Sequence, residues 1–174
     1  MILNLTDVLT VQGRTLSRTA GFTPSCLEYG KSRYPIIRKS PVSLVMTNRG
    51  KGRAQVSGKT ELTVLLCCDR CLKDVPYTFS LEFSVPVVAP ELGAAVSEEE
   101  ADTCLIGYQF DTDDLVYNEI SVNWPMKILC KPDCRGICSV CGQDLNEGAC
   151  ECDTFVPDPR LAAIKDIFDA GKEV

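Results

Sequence analysis

Six of the eleven cysteines fall within the 23 residues from Cys130 to Cys152. Cys138 and Cys141 enclose two residues and are followed by Gly142, and a C-x-C pair comes eight residues later. Two sulfurs at that spacing can face one metal ion across a tight turn, and glycine relieves crowding after the second sulfur. The chain has no histidine, so a zinc site must use sulfur alone or recruit a carboxylate. This spacing favours a metal site over buried thiols that pack as small apolar groups.

Eight of the cysteines form four sequence pairs, and two tetrahedral metal sites require eight sulfur ligands. The pairs are Cys68/Cys71, Cys130/Cys134, Cys138/Cys141 and Cys150/Cys152. The simplest assignment places the last two pairs on one metal, as a zinc ribbon, and the first two pairs on a second metal. The alternative is one metal site with four further free cysteines. Neither site has an open position for water, so the spacing predicts structural zinc, although iron also accepts four thiolates.

The residues around these pairs give little support to an enzyme. Basic residues beside the ligands are expected to offset the excess negative charge of a tetrathiolate zinc centre: Arg70, Lys131 and Arg135. The cysteines left as ordinary thiols are Cys26, Cys67 and Cys104. A thiol–disulfide oxidoreductase using Cys68 and Cys71 is the enzymatic alternative, but a redox pair usually begins a helix, and predicted strands flank this one. A Ser/His/Asp set is impossible without histidine, and no glycine-rich nucleotide loop occurs, so we predict a protein without catalytic activity.

Basic residues concentrate in the first third of the chain. Residues 1–60 hold ten lysine and arginine residues against two acidic ones, whereas residues 61–174 hold eight against 22. The net charge of −6 argues against a protein that coats nucleic acid through charge alone. Within the basic third, Arg49, Lys51 and Arg53 alternate with glycines and are candidate contacts to RNA phosphates. The alternative is that these charges only keep loops and strand edges in solvent.

Alternation of apolar and polar residues predicts three strands, at 41–48, 54–67 and 77–87. The first two make an antiparallel hairpin whose turn carries the basic residues, and the first C-x2-C pair lies between the second and third. Glycines and prolines predict mostly loop for residues 13–35. Residues 1–12 are expected to form a short strand or an amphipathic segment.

The second half of the chain changes character. Residues 89–114 are rich in acidic groups and predict a solvated loop, although clustered carboxylates also suit a hard cation. Helical spacing begins at Leu115, and Pro125 kinks or ends that element. Aspartate and proline at 158 and 159, followed by an apolar stripe, predict a C-terminal helix.

These elements predict an α+β protein of 174 residues, long enough to bury its own core. We expect a β-rich antiparallel sheet domain over residues 1–125, with an acidic loop near 89–114. Residues 126–174 would hold the four-cysteine zinc ribbon and the C-terminal helix packed on it. No apolar run is long enough to span a bilayer, and the first residues do not resemble a signal peptide. The odd number of cysteines favours metal-bound thiolates in a reducing cytoplasm over a disulfide framework.

Several motifs occur in a fixed order after a β-rich amino-terminal half. They are Cys68-Asp-Arg-Cys71-Leu-Lys, Cys130…Cys134-Arg-Gly-Ile-Cys138-Ser-Val-Cys141-Gly-Gln-Asp-Leu-Asn-Glu-Gly, Cys150-Glu-Cys152 and Asp158-Pro-Arg-Leu-Ala162. In combination they closely resemble the YceD family, the large ribosomal RNA subunit accumulation proteins of bacteria and plastids. The resemblance covers about residues 36–170, and its motifs are specific together although a single C-x2-C is not.

The resemblance implies a non-enzymatic cytoplasmic factor needed for normal accumulation of large-subunit ribosomal RNA. We therefore expect an accessory factor for ribosome biogenesis that binds precursor RNA or a large-subunit ribosomal protein through a zinc-stabilised scaffold. In this hypothesis the basic third faces phosphate. The alternative is a zinc-stabilised protein-interaction module without RNA contact, because the acidic remainder of the chain suits a basic protein.

Overall fold

A computed structural model describes residues 1–90 and 104–152. The chain forms two compact units, the first made of Met1–Cys67 and Asp74–Ile128, and the second of Cys68–Lys73 and the chain from Leu129 onward. The predicted domain division after residue 125 stays a prediction. The C-terminal helix predicted after residue 158 lies outside the described residues.

Within the described residues, all the regular elements belong to the first unit and most of them are strands. In chain order they are β1 (Ile2–Asn4), α1 (Thr6–Thr10), β2 (Thr15–Ala20), β3 (Cys26–Tyr29), β4 (Ser32–Lys39), β5 (Val42–Gly50), β6 (Arg53–Cys67), β7 (Asp74–Val88), β8 (Leu105–Ile106), β9 (Gln109–Asp111) and α2 (Thr112–Val122). The three strands that alternation predicted correspond to β5, β6 and β7 and are confirmed, as is the β-rich antiparallel character of the fold.

The main sheet is built around β6, a strand of 15 residues. β7 pairs with it antiparallel along its whole length, from Arg53 opposite Val88 to Cys67 opposite Asp74. β5 and β4 share the other edge of β6, with β2 outside β5 and β3 outside β4. Because side chains alternate between faces, every second residue of β6 from Ala54 to Leu66 points to the core. Most of these residues are apolar and buried.

A second, small sheet has the order β1-β9-β8. Its first strand, β1, places the beginning of the chain beside the start of α2. Ile2 lies opposite Asp111, and Thr112 donates its backbone N–H to the Met1 carbonyl oxygen at 3.1 Å. The Asp111 carboxylate accepts a hydrogen bond from the Asp113 backbone N–H at 2.9 Å and so caps α2. The amino terminus of the chain lies 2.8 Å from the Asp113 carboxylate.

Two sequence predictions about loops are wrong in part. Residues 13–35 hold three strands or parts of them, because the glycines there form turns between short strands: Gly13 and Gly30 have φ of 72° and 62°. Residues 105–114, assigned to the acidic loop, form β8, β9 and the start of α2. Their carboxylates cap a helix and pair with the amino terminus, which a charge count does not reveal. Residues 91–103 of that loop lie outside the described part of the chain.

The aromatic residue after α2 ties this helix to the hairpin of β3 and β4. Trp124 stacks on Tyr29, with ring centroids 4.1 Å apart and planes 7° from parallel, and Tyr34 lies tilted against the same ring at 5.3 Å. The Tyr117 hydroxyl donates to the Glu28 carbonyl oxygen at 2.5 Å. Aromatic contacts of this kind stabilise β3, a strand too short to be specified by its own pattern. α2 itself ends at Val122, ahead of Pro125.

Asn48 is a buried polar side chain that connects three segments near the turn between β5 and β6. It is 7% exposed, and its Nδ2 donates to the carbonyl oxygens of Val8 at 2.6 Å and Leu9 at 3.3 Å. Its Oδ1 accepts from the backbone N–H of Gly50 at 2.7 Å and of Gly13 at 3.4 Å. Four partners satisfy both ends of the amide, so Asn48 holds α1, the following loop and the basic turn together.

Replacing Asn48 by alanine would leave these buried backbone groups without their partners. We expect the free energy of unfolding of the sheet unit to fall by about 1–3 kcal/mol, measured by urea denaturation of the full chain. The matched control is Asn123→Ala, because the exposed Asn123 makes a single side-chain bond to Glu119. Equal losses for the two variants would contradict a bridging role for Asn48.

Candidate metal centres

The first cysteine cluster brings together the loop between β6 and β7 and a segment that begins at residue 130. Its sulfurs belong to Cys68, Cys71, Cys130 and Cys134, and all four lie within 4.8 Å of one another. The Sγ atoms of Cys68 and Cys134 are 3.8 Å apart, and those of Cys71 and Cys130 are 3.5 Å apart. A tetrahedron with Zn–S bonds of about 2.3 Å has edges of about 3.8 Å. The four sulfurs are therefore spaced as ligands of one metal ion.

The second cluster lies entirely within the cysteine-rich segment. Its sulfurs belong to Cys138, Cys141, Cys150 and Cys152, and they also lie within 4.8 Å of one another. Cys138 is buried and Cys141 is exposed, whereas the two later cysteines are half-buried. These two groups are the ones that the simplest assignment of the four sequence pairs produced. Each group can hold a metal ion, and four sulfurs leave no open position for a water molecule.

The two C-x2-C turns have the same backbone hydrogen bonds. In the first, Leu72 N donates to the Cys68 carbonyl oxygen at 3.0 Å, and Cys68 N donates to the Lys73 carbonyl oxygen at 2.8 Å. In the second, the corresponding bonds join Gly142 to Cys138 at 2.9 Å and Cys138 to Gln143 at 2.8 Å. Each turn thus closes on its first cysteine from both sides. This closure directs two backbone amides toward the first sulfur of the pair.

The residue after the second cysteine of each turn has a left-handed backbone. Gly142 has φ of 75°, which glycine adopts without steric cost, whereas Leu72 has φ of 61° and is 64% exposed. A leucine in this region costs roughly 1–2 kcal/mol. The identical hydrogen bonds of the two turns show why Leu72 adopts it: the turn geometry requires this φ whichever residue is present.

The thiols of each cluster differ in pKa. Burial raises the pKa of Cys68, but hydrogen bonds from the backbone amides of its turn outweigh burial and lower this pKa to about 6. A hydrogen bond with another thiol of the cluster, together with burial, raises the pKa of Cys130 to about 12. In the second cluster the turn amides lower the pKa of Cys138 to about 6, and a neighbouring thiol raises that of Cys152 to about 12. Four thiolates at this range repel one another unless a cation lies between them, so the donor set fits a divalent metal ion.

Asn146 connects the two clusters, which sequence analysis did not predict. Its Nδ2 lies 3.4 Å from the Sγ of Cys134, and its Oδ1 accepts from the Arg135 backbone N–H at 2.9 Å. Asp144 holds it in place, because the Asp144 Oδ1 accepts from both the backbone and the side chain of Asn146, at 2.8 and 2.7 Å. An asparagine in a loop is a weak signal, since turns favour this residue for local reasons.

Sequence analysis predicted no contact for Lys73, which lies two residues after the first C-x2-C pair. Its Nζ lies 2.8 Å from the Asp144 carboxylate and 2.7 Å from that of Glu147. Hydrogen bonds to these two groups raise the pKa of Lys73 well above its ordinary value. In return, Lys73 and the Asn146 backbone lower the pKa of Asp144 to about 2. This ion pair therefore persists throughout the neutral and mildly acidic range.

The basic residues predicted to offset cluster charge have different contacts. Arg70 Nη1 donates to the Cys134 carbonyl oxygen at 2.6 Å, so it bridges the two halves of the first cluster. The Lys131 Nζ lies 4.0 Å from Asp133. The Arg135 backbone N–H, and not its guanidinium, donates to the Asn146 Oδ1 at 2.9 Å. Cysteines outside the clusters have partners elsewhere: Cys26 with Arg33, Cys67 with Asp74 and Cys104 with Asn118.

The three candidate RNA contacts lie at the turn between β5 and β6. Arg49, Lys51 and Arg53 are exposed, and Lys51 has φ of 52° between two glycines that are also left-handed. The side chain of Asn48 anchors the turn, because its Oδ1 accepts a hydrogen bond from the backbone N–H of Gly50. The structure thus brings the three basic side chains to one turn, and their contact with RNA stays a prediction.

Comparison with known proteins assigns the family. Residues 56–168 match the family described as "Large ribosomal RNA subunit accumulation protein YceD". The chain belongs to the YceD family. The matched residues include both cysteine clusters and begin after the basic turn, so the turn lies outside the part of the chain that carries the family match.

A curated relative is "Large ribosomal RNA subunit accumulation protein YCED homolog 1, chloroplastic" from Zea mays. The two proteins are 24% identical over 185 residues, which cover 86% of this chain and 60% of the relative. The chain therefore spans well under two thirds of that protein's length. No solved structure gives a significant match. Among the described residues, no helix is both long and apolar enough to cross a bilayer.

The family name connects this protein with accumulation of large-subunit ribosomal RNA. The family is described as an accumulation factor and not by a reaction. In the structure Cys68 and Cys71 lie between strands β6 and β7, not at the start of a helix, which weakens the oxidoreductase alternative.

The shared turn geometry predicts how two glycines of the second cluster's loop respond to substitution. Gly142→Ala places a side chain at a left-handed φ and is expected to cost about 1–2 kcal/mol of unfolding free energy. Gly148→Ala is the matched control, because Gly148 has an ordinary φ and an added Cβ would meet no atom closer than 3.7 Å. We expect a change of at most about 0.5 kcal/mol for the control. Chemical denaturation of both variants checks this, and equal effects would contradict a φ requirement at Gly142.

Proposed function

We propose that this protein is a non-enzymatic accessory factor for ribosome biogenesis that supports accumulation of large-subunit ribosomal RNA. In this proposal it binds precursor RNA or a large-subunit ribosomal protein, in the cytoplasm, through a zinc-stabilised scaffold. One observation carries the proposal: both four-cysteine groups lie within the residues that match a family described by ribosomal RNA accumulation.

The metal part of the proposal rests on the eight cysteines. The first site would be Cys68, Cys71, Cys130 and Cys134, and the zinc ribbon would be Cys138, Cys141, Cys150 and Cys152. Zinc would supply charge neutralisation and cross-linking, so that short segments with few apolar residues hold one conformation. This role is structural because four sulfurs complete each coordination shell. Iron fits four thiolates as well, and metal analysis separates the two.

The RNA part rests on the basic turn. Arg49, Lys51 and Arg53 are exposed on a turn that the buried Asn48 anchors. Phosphate binding would therefore require little ordering of the turn backbone. Cationic side chains that neutralise phosphates make binding salt-dependent. The rest of the chain is acidic, which suits a basic ribosomal protein and supports the second candidate function, an interaction module without RNA contact.

The proposal of a zinc-stabilised scaffold predicts a defined metal content. We expect two zinc ions per chain by elemental analysis of protein purified under reducing conditions, with the eight ligand thiols resistant to alkylation until a chelator is added. The control thiol is Cys67, which is exposed and belongs to neither cluster, and should react at once. Rapid alkylation of Cys68 and Cys71 in metal-loaded protein would overturn the scaffold and reopen the redox alternative.

The function is tested by ultraviolet crosslinking of cells followed by gradient sedimentation of the lysate. We expect the protein to co-migrate with large-subunit precursors and to carry crosslinked RNA. Replacing Arg49, Lys51 and Arg53 by glutamine should remove most of the crosslinked RNA and flatten its salt dependence.

The control for this experiment removes the same charge elsewhere, by glutamine at Lys31 in the turn between β3 and β4 and at Arg33 and Arg38 of β4, all exposed. Equal RNA loss in both triple variants would show that the basic turn is not a specific site. A protein found only at the top of the gradient without RNA would exclude direct RNA binding. Recovery of a ribosomal protein after nuclease treatment would then favour the interaction module.

A further inference from the structure

The two cysteine clusters share one short stretch of backbone. Cys134 of the first cluster and Cys138 of the second are separated by three residues. Ile137 N donates to the Arg70 carbonyl oxygen at 3.2 Å, and Ile137 pairs with Asp144 in an antiparallel bridge. This stretch therefore contacts the first cluster's turn on one side and the second cluster's loop on the other.

The backbone at Gly136 leaves little room for a side chain. Its φ is 81°, and an added Cβ would lie 3.1 Å from the Arg70 carbonyl oxygen. Its own carbonyl oxygen accepts from Leu145 N at 2.9 Å. Gly136 therefore lies against the first cluster's turn on one side and is hydrogen-bonded to the second cluster's loop on the other.

The loop between Cys141 and Cys150 belongs to the second cluster by sequence but contacts the first. From this loop Asn146 donates toward the Cys134 sulfur at 3.4 Å. A side-chain amide that hydrogen-bonds a ligand sulfur orients that sulfur toward the metal position. The contact therefore favours metal at the first cluster whenever the loop is in place.

Lys73 makes the reverse connection. It follows the first cluster's turn and binds Asp144 and Glu147 of the second cluster's loop, at 2.8 and 2.7 Å. When the first cluster holds its turn, Lys73 is positioned to fix that loop. The loop in turn sets the distance between the two ligand pairs of the second cluster.

We infer that the two clusters bind metal cooperatively, with Asn146 as the positioning residue that couples them. The inference rests on the metal-binding part of the proposed function. A metal at the second cluster closes the loop from Cys141 to Cys150 and orders Asn146, so the first cluster no longer bears that entropic cost. Coupling of this kind is reciprocal, and each site raises the affinity of the other by the same factor.

The size of the coupling is expected to be about tenfold, within the usual range for linked sites. Zinc ions added below one equivalent per site should then give chains with two ions and chains with none. Chains with one ion should be fewer than independent sites would give. Asn146→Ala keeps all eight ligands and should restore the single-ion species.

The experiment titrates the reduced full chain with zinc alone and counts bound ions by native mass spectrometry. The matched control is Gln143→Ala, which removes an exposed amide from the same loop. Lys73→Met is the second test variant, because it acts on the loop from the first cluster without touching a sulfur ligand. Separately, Cys150→Ser with Cys152→Ser, and Cys71→Ser with Cys130→Ser, give each single-site affinity for comparison with the full chain.

The coupling would be supported by more chains with two ions than independent sites would give, if this excess declines in Asn146→Ala but not in Gln143→Ala. Two ions bound with an independent distribution in the unmodified chain would overturn it and leave the metal scaffold intact. An Asn146→Ala distribution identical to that of the unmodified chain would overturn the role of Asn146. Failure of the unmodified chain to bind zinc at all would overturn the scaffold itself.

Discussion

The second unit depends on mutual repulsion among thiolates that the chain holds within 4.8 Å of one another. Backbone amides lower the pKa of Cys68 to about 6, whereas a hydrogen bond with a neighbouring thiol and burial raise that of Cys130 to about 12. A dication removes the conflict by allowing all four groups to ionise together. The amides directed at Cys68 and Cys138 and the Asn146 contact with Cys134 lower the pKa of these thiols and so favour the ionised form.

The sheet of the first unit is organised by a different force. β6 pairs over its full 15 residues with β7, and its inward residues from Ala54 to Leu66 form the centre of a buried apolar layer. Gly58 and the polar Thr60 are the exceptions on that face, and a Cβ at Gly58 would lie 2.8 Å from the side chains of Leu44 and Phe83. The aromatic ring of Phe83 fills the space that a side chain at this position would take.

The basic turn and the cysteine clusters lie on different sides of the boundary where the family match begins. The basic turn precedes the residues that match the YceD family, whereas both cysteine clusters lie within them. The residues that match the family thus include both clusters and most of the hairpin of β6 and β7, but not the basic turn.

The sequence by itself determined the cysteine pairs, the three long strands and the family, because each has a pattern within a short window. Alternation identifies β6 and β7, since one face of each is buried along its whole length. Spacing identifies C-x2-C turns because the turn geometry is local: Cys68 and Cys138 make the same hydrogen bonds.

Only the tertiary structure decided the contacts between distant segments. β3 is four residues long and depends on Trp124 from the far end of α2, so its own residues carry no sufficient signal. Lys73 and Glu147 are 74 residues apart, and Asn146 reaches a sulfur of the other cluster. A contact between residues so far apart produces no periodic pattern in either segment, because tertiary packing, and not the neighbouring sequence, determines the partner.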